Sequence, residues 1–298
     1  MRNLIVTGAS GFIGRNLIRH LEKENYIIAC IHDERSKALF ESMHHVTPII
    51  CPMESYAALP EKVPAGSYDT FYHFAWAGAR GKGRADYQMQ ARNARYTCDA
   101  ALAAKQIGCK RFISAGTISE NVAEDILVRN YTGENLIYGL SKMYAHKMLD
   151  VVAAKNGISY VWAKLSNIYG GDDQTGNLIA YTVKEISEKR IPTYGPCQQP
   201  YNFTHIHDVL AALEKLGTAE MLTRKEYFIS NGECRKLVEY LEEVAEVWGG
   251  KIAIGKRPDD GICYQKEWFW DTGLDELDFV PRYSFSDGIR AMKEAMQV

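Results

Sequence analysis

Along the first half of the chain, short apolar runs rich in β-branched residues alternate with longer stretches in which apolar residues recur every three or four positions. Residues 4–7, 27–31, 70–74, 111–114 and 160–165 show the first pattern and predict strands. Residues 14–24, 87–107 and 138–156 show the second and predict helices. Strands separated by helices of this length specify βαβ units, because a parallel neighbour needs a crossover long enough to return to the same end of the sheet. The expected fold class is α/β: a doubly wound parallel sheet with helices on both faces, whose ligands gather at the carboxyl ends of the strands.

Beyond residue 166 the alternation weakens. Gly170-Gly171, Pro192, Gly195-Pro196 and Pro200 mark loops around one helix predicted over 177–188. The expected division is a nucleotide-binding domain over 1–166 and a smaller substrate domain over 167–298; a strand–helix pair at 202–216 and a strand at 226–230 can return to the first.

Composition changes this picture little. With 35 Lys+Arg against 37 Asp+Glu, the formal charge of −2 points to neither a nucleic-acid nor a membrane partner. The longest purely apolar run, residues 26–31, is far short of the roughly twenty residues that span a bilayer. Seven scattered cysteines without C-x-x-C spacing predict neither a disulfide framework nor a zinc site, and a strand starting at residue 4 leaves no room for a leader. A reduced, cytoplasmic protein is expected. His205 and His207 share a strand face but lack a third ligand at suitable spacing, so no metal is expected.

Chemistry enters at the end of the first strand, where Thr7-Gly8-Ala9-Ser10-Gly11-Phe12-Ile13-Gly14 leads into a helix. Gly8 permits a tight turn, Gly11 lets backbone amides approach a pyrophosphate, and Gly14 allows the helix to pack on the strand with its positive end toward the anion. After the second strand stand His32, Asp33, Glu34, Arg35, Ser36 and Lys37. A carboxylate there suits the ribose 2′-hydroxyl of NAD and cations suit the 2′-phosphate of NADP, so both cofactors stay open.

Tyr138 and Lys142, four residues apart, lie on one face of a predicted helix. A phenol with an ordinary pKa of about 10 becomes a useful proton carrier when a neighbouring ammonium favours its phenolate. At the end of the fourth predicted strand, Ser114 and Thr117 offer hydroxyls to a substrate oxygen, with Thr117 preferred for that role.

The G-x-x-G-x-x-G turn and Tyr-x-x-x-Lys pair resemble the extended short-chain dehydrogenase/reductase, or NAD-dependent epimerase/dehydratase, family. Further matches follow in order: Asp69 through Ala75 resembles its D-x-x-x-H-x-A strand, Asn93 through Thr97 its N-x-x-x-T helix, and Lys164 through Gly170 its R-x-x-N-V-Y-G segment. Residues 202–209 and 277–288 resemble its later strand and closing segment. Lys164 stands in place of the usual Arg, and Trp76-Ala77-Gly78 in place of smaller residues.

The resemblance implies a Rossmann-type sheet, an NAD or NADP cofactor, a nucleoside-diphosphate sugar as substrate and a homodimer. It implies hydride exchange at a sugar carbon, C4 by expectation, with Tyr138 exchanging the hydroxyl proton, Lys142 holding the nicotinamide ribose and Thr117 bonding the same oxygen. Gly8, Gly11, Phe12, Ile13, Gly14, His32, Asp33, Arg35, Ala75, Asn93, Ser114, Tyr138, Lys142 and Leu165 form the expected cofactor set. Trp76, Thr117, Asn167, Asn202 and His205 form the expected substrate set. A 4-ketoreductase is preferred over a 4-epimerase, because the bulk of Trp76 would hinder a ketone from turning over. A 4,6-dehydratase ranks below both, since Ile118-Ser119 replaces that branch's Asp-Glu pair. The rival from another class is a non-catalytic NAD(P)-binding sensor or scaffold.

Overall fold

The computed structural model describes every residue except 130–132, 134–135, 172, 174–175, 260–263 and 297–298. Strands β1 (Arg2–Thr7), β2 (Asn25–Ile31), β3 (Val46–Ile50), β4 (Thr70–His73), β5 (Arg111–Thr117) and β6 (Tyr160–Leu165) follow one another through the first 165 residues. Helices α1 (Phe12–Leu21), α2 (Leu59–Lys62), α3 (Tyr87–Ile107), α4 (Ser119–Arg129) and α5 (Leu136–Asn156) lie between them. After β6 come β7 (Asn167–Tyr169), α6 (Leu178–Ser187), β8 (Pro200–Tyr201), β9 (Phe203–His205), α7 (Ile206–Thr218) and β10 (Glu226–Ile229). The chain continues through β11 (Arg235–Lys236), α8 (Leu237–Trp248) and α9 (Phe285–Met296).

A seven-stranded sheet runs in the order β10-β6-β5-β4-β1-β2-β3, the doubly wound arrangement expected of a Rossmann-type fold. The β1–β2, β1–β4, β2–β3 and β4–β5 pairs are parallel. Because strand order reverses between β1 and β4, the two strand tips that meet there, Thr7 beside His73, mark the switch point where such sheets bind ligands.

The strand at β3 is absent from the sequence expectation. Its Val46-Thr47-Pro48-Ile49-Ile50 contains a proline, which argues against a central strand. The structure places β3 at the sheet edge, where proline is tolerated. His45 accepts from the amide of Ile27 and Cys51 donates to Ile31, so the odd-numbered residues bond β2 and Pro48 lies on the free side.

Two compact units divide the chain. The first comprises Met1–Leu127, Glu134–Lys164 and Leu213–Tyr227; the second comprises Val128–Gly133, Leu165–Ala212 and Phe228–Val298. In the first, α3 turns Ala94, Ala100, Ala101, Ala103 and Ala104 inward. These small side chains let it pack closely with α5 over Phe71, Phe112 and Trp162. The second unit has its own core of Tyr169, Phe203, Tyr240, Leu241 and Phe285, built where α6, α8 and α9 meet β9. The six described cysteines are free, and Cys263 lies outside the described residues. No described helix is long and apolar enough to cross a membrane.

Candidate active site

The turn from β1 into α1 is built from close backbone contacts. Gly8 has φ +66°, and a Cβ there would lie 2.6 Å from the amide nitrogen of Ala75, just past β4. A Cβ at Gly14 would lie 2.3 Å from the Gly8 carbonyl oxygen, so the first turn of α1 rests directly on the glycine turn. Gly11 differs: its Cβ would touch only the Gly8 oxygen, at 3.1 Å. Gly11 is exposed and caps α1 without a side-chain hydrogen bond, and no acidic residue stands in the first turn. This is an open cradle of amides at the positive end of a helix, and it fits a dinucleotide pyrophosphate. Phe12 is buried against the fold, and Ile13 is half-buried.

Past β2, Asp33 caps a short 3-10 turn. It accepts from the Ser36 amide and hydroxyl and pairs with Arg35 at 2.9 Å. The Arg35 and Ser36 hydrogen bonds hold its carboxyl below the usual range. Arg35 is almost fully exposed, as is much of His32.

At the tip of β4, the buried His73 meets the Thr7 hydroxyl at 2.8 Å and that of Thr97 at 3.3 Å. Burial, helped by the charge of Lys142, pushes its pKa down to about 3, so the ring is neutral. Asn93 fixes the next segment: its Nδ2 donates to the Ala77 carbonyl and its Oδ1 accepts from the Ala77 amide. Ser114, the β5 partner of His73, is fully buried.

Tyr138 and Lys142 lie one turn apart on α5, both buried. Lys142 donates to the Ala115 carbonyl at 2.7 Å and sits 3.8 Å over the Trp76 ring. Burial lowers its pKa to about 7, with the Glu120 charge acting the other way. The Trp76 ring meets Tyr138 edge-on at 6.2 Å and donates its indole N–H to Gln90. Burial raises the Tyr138 pKa, while the Arg84 charge and the Thr117 hydroxyl oppose it.

Thr117 is placed by two tight contacts. Its amide donates to Glu120 at 2.7 Å, and that carboxylate, 1% exposed, also accepts from the Trp162 indole. Gly116 admits no side chain, since a Cβ would lie 2.2 Å from that indole nitrogen; a Cβ at Gly139 would lie 2.4 Å from the Ser119 carbonyl oxygen. The loop after β5 therefore lies flat against α5, and Thr117, Tyr138, Lys142 and Trp76 gather in the first unit.

The remaining expected residues belong to the second unit. Leu165 is buried at the end of β6. Asn167 donates to the Asn202 carbonyl and accepts from Tyr201. Asn202 is fully buried and bonds Asn231, Glu233 and Thr204. His205 packs on Tyr283 at 4.2 Å, and burial pushes its pKa down to about 4. Among the described residues, no group of three or more metal-binding side chains occurs.

Two residues go unmarked by the sequence, Arg84 against the Tyr138 ring and Gln90, which holds Trp76. The signal for Arg84 is the run Gly78-Ala79-Arg80-Gly81-Lys82-Gly83-Arg84, cations among glycines in the segment between β4 and α3.

A family model described as the NAD dependent epimerase/dehydratase family matches residues 4–229, and the chain belongs to that family of enzymes. No curated protein matches it significantly by sequence. Among solved structures it is similar to the UDP-glucuronic acid 4-epimerase from Bacillus cereus in complex with UDP-glucuronic acid and NAD, at 19% identity, TM-score 0.77 and 99% coverage of each chain. It is similar to the UDP-N-acetylglucosamine 4-epimerase from Methanobrevibacter ruminantium in complex with UDP-N-acetylmuramic acid, at 17% identity, TM-score 0.81 and coverage of 100% of this chain and 99% of that one. A third is the dTDP-glucose 4,6-dehydratase from Bacillus anthracis in complex with NAD, at 17% identity, TM-score 0.77 and coverage of 100% and 97%. At these identities the likeness establishes the fold.

Proposed function

We propose that this enzyme transfers hydride between a nicotinamide dinucleotide, NAD or NADP, and C4 of a nucleoside-diphosphate sugar, acting as a 4-ketoreductase. The observation that carries the reading is the cluster of Tyr138, Lys142 and Thr117 with Trp76 against both Tyr138 and Lys142. The cofactor, held by the glycine turn, supplies the hydride.

Tyr138 carries the proton of the sugar oxygen, and Thr117 hydrogen-bonds that oxygen and the phenol. Lys142 holds the nicotinamide ribose; burial lowers its pKa and the Glu120 charge acts the other way. Trp76 supports reduction over epimerisation. Its ring is held by Gln90 and faces the reacting groups, where it limits the space a ketosugar needs to turn over.

A second reading is 4-epimerisation, favoured by neighbours that are 4-epimerases of UDP-sugars. Dehydration has less support, because Ile118 and Ser119 offer no carboxylic acid to expel a hydroxyl. The reading includes a cytoplasmic homodimer, supported by the family resemblance and the free cysteines. The test is to incubate the protein with a panel of nucleoside-diphosphate sugars and their 4-keto forms and follow the absorbance of reduced nicotinamide. Stoichiometric consumption with a ketosugar supports reduction. Interconversion of two sugars without net change in cofactor establishes the epimerase instead, and no exchange with any sugar would revive the sensor or scaffold.

A further inference from the structure

The segment between β4 and α3 is fastened far more tightly than a surface loop requires. Gly78 has φ +65°, and a Cβ there would lie 2.8 Å from the Gly83 carbonyl oxygen; one at Gly83 would lie 2.6 Å from the Gly78 Cα. The two backbones thus touch, closing the segment on itself. Gln90, fully buried on α3, donates its amide to the carbonyls of Gly78 at 2.9 Å and Gly83 at 2.8 Å, and accepts from Trp76 at 2.8 Å. The next residue after Gly83 is Arg84. Its guanidinium lies 4.1 Å from the centre of the Tyr138 ring and donates to the Ser119 hydroxyl at 3.2 Å. Among the described residues no carboxylate pairs with Arg84. Lys142 is directed elsewhere, to the Ala115 carbonyl and the Trp76 face.

We propose that Arg84, held by the Gln90 clamp against the Tyr138 ring, is the cation that stabilises the Tyr138 phenolate during proton transfer, a duty that would otherwise fall to Lys142 alone. This rests on the reading of Tyr138 as the proton carrier. As C4 of a 4-ketosugar accepts hydride from the reduced nicotinamide, its C=O π bond breaks and the oxygen takes the Tyr138 proton. The electron pair of the broken O–H bond stays on the phenolate, which water reprotonates before the next turnover. A guanidinium over the ring favours that phenolate, because opposite charges within about 4–6 Å shift such an equilibrium by about 1–3 pKa units. Gln90 is a positioning residue, acting through Arg84.

The groups facing the phenol are few. Arg84 and Arg80 come from the clamped segment, Thr117 from the end of β5 and Glu120 from α4, whereas Lys142 on α5 is directed to the Ala115 carbonyl and the Trp76 face. Burial raises the phenol and Glu120 adds to that, whereas Arg84, Thr117 and Arg80 act downward, Arg84 most strongly.

The test is the pH dependence of ketosugar reduction by the protein saturated with reduced cofactor, compared for the parent, Arg84→Met, Arg84→Lys and Gln90→Leu. Activity depends on a protonated Tyr138 and falls on the alkaline side. Removing the charge in Arg84→Met should raise that midpoint by about one unit or more, and lower turnover below it by up to about tenfold. Arg84→Lys should restore part of the shift, and Gln90→Leu should show a smaller shift in the same direction. If Arg84→Met raises KM and leaves the midpoint in place, Arg84 grips the substrate and the proposal is overturned. Loss of stability with an unmoved midpoint overturns it equally. Should Arg84→Met not fold, Arg84→Gln removes the charge but keeps a donor for Ser119. Ultraviolet titration of the phenol, taken as the difference from the matching Tyr138→Phe protein, then reads the same midpoint without substrate. Tyr138→Phe separates the two levels: full activity in that variant overturns the reading of Tyr138 itself, whereas an inactive Tyr138→Phe with an unmoved Arg84→Met midpoint overturns only the role of Arg84.

Discussion

The Tyr138 cluster of the first unit and the Asn202–His205 cluster of the second are both buried and polar, yet they resolve the cost of burial in opposite ways. Around Asn202 each polar group ends on another. Its amide donates to Asn231 and Glu233, its oxygen accepts from Thr204, and Thr204 meets Ser166 at 2.5 Å. His205 is kept neutral and packed between rings. Around Tyr138, arginines and a hydroxyl act against a buried carboxylate, and burial works against the very charge that the cations support. A closed network of neutral groups stabilises a fold, whereas charged groups around a phenol can also stabilise a transient charge.

Tyr138 separates the two clusters most decisively. Replacing it with Phe removes one proton and little volume, so turnover should fall about 10²-fold or more while the cofactor and sugar still bind. Steady-state kinetics beside calorimetric binding would show it, and near-normal turnover would remove the distinction between the clusters. In the closed network the largest effect should be on stability. Asn202→Ala strands the partners of a buried amide and should cost about 1–3 kcal/mol, read from urea unfolding, with a far smaller effect on kcat than Tyr138→Phe.

A milder contrast lies within the glycine turn. Gly11→Val places its bulk in the open cradle and should weaken NAD(H) and NADP(H) binding about tenfold or more while the parent fold survives. Equal affinity for both cofactors in variant and parent would put the pyrophosphate elsewhere.

The smallest effect concerns pH. His205 titrates at about 4 in the fold, below its ordinary value of about 6.5, so the unfolded chain takes up its proton first as pH falls. Its contribution is complete above about pH 6.5 and is lost as pH falls through about 4. Urea midpoints at pH 7 and pH 5 should therefore differ less in His205→Gln than in the parent, and an equal difference would mean that the ring is not held neutral.

Periodicity carried most of the fold because each β–α step has its own local signature. The predicted 160–165 strand and 87–107 helix match β6 and α3 residue for residue. The β3 edge strand escaped because Pro48 suppresses a strand pattern wherever the edge is unknown, and edge position is a tertiary fact. The same limit applies to the site. Tyr138 and Lys142 are visible because one helix turn joins them, and Thr117 because it ends a strand. Arg84 reaches Tyr138 across more than fifty residues, through a contact between two glycines and a glutamine on α3, and no spacing in the sequence encodes that.

Pro48 has a consequence for the molecule in a crowded solution. The free side of β3 is the sort of surface on which a foreign strand can grow, since an open row of amides and carbonyls templates self-association. A proline facing that side removes a donor from the middle of the row and places a rigid ring where an incoming backbone would lie, so the edge is blunted against cross-β aggregation without disturbing the bonds to β2.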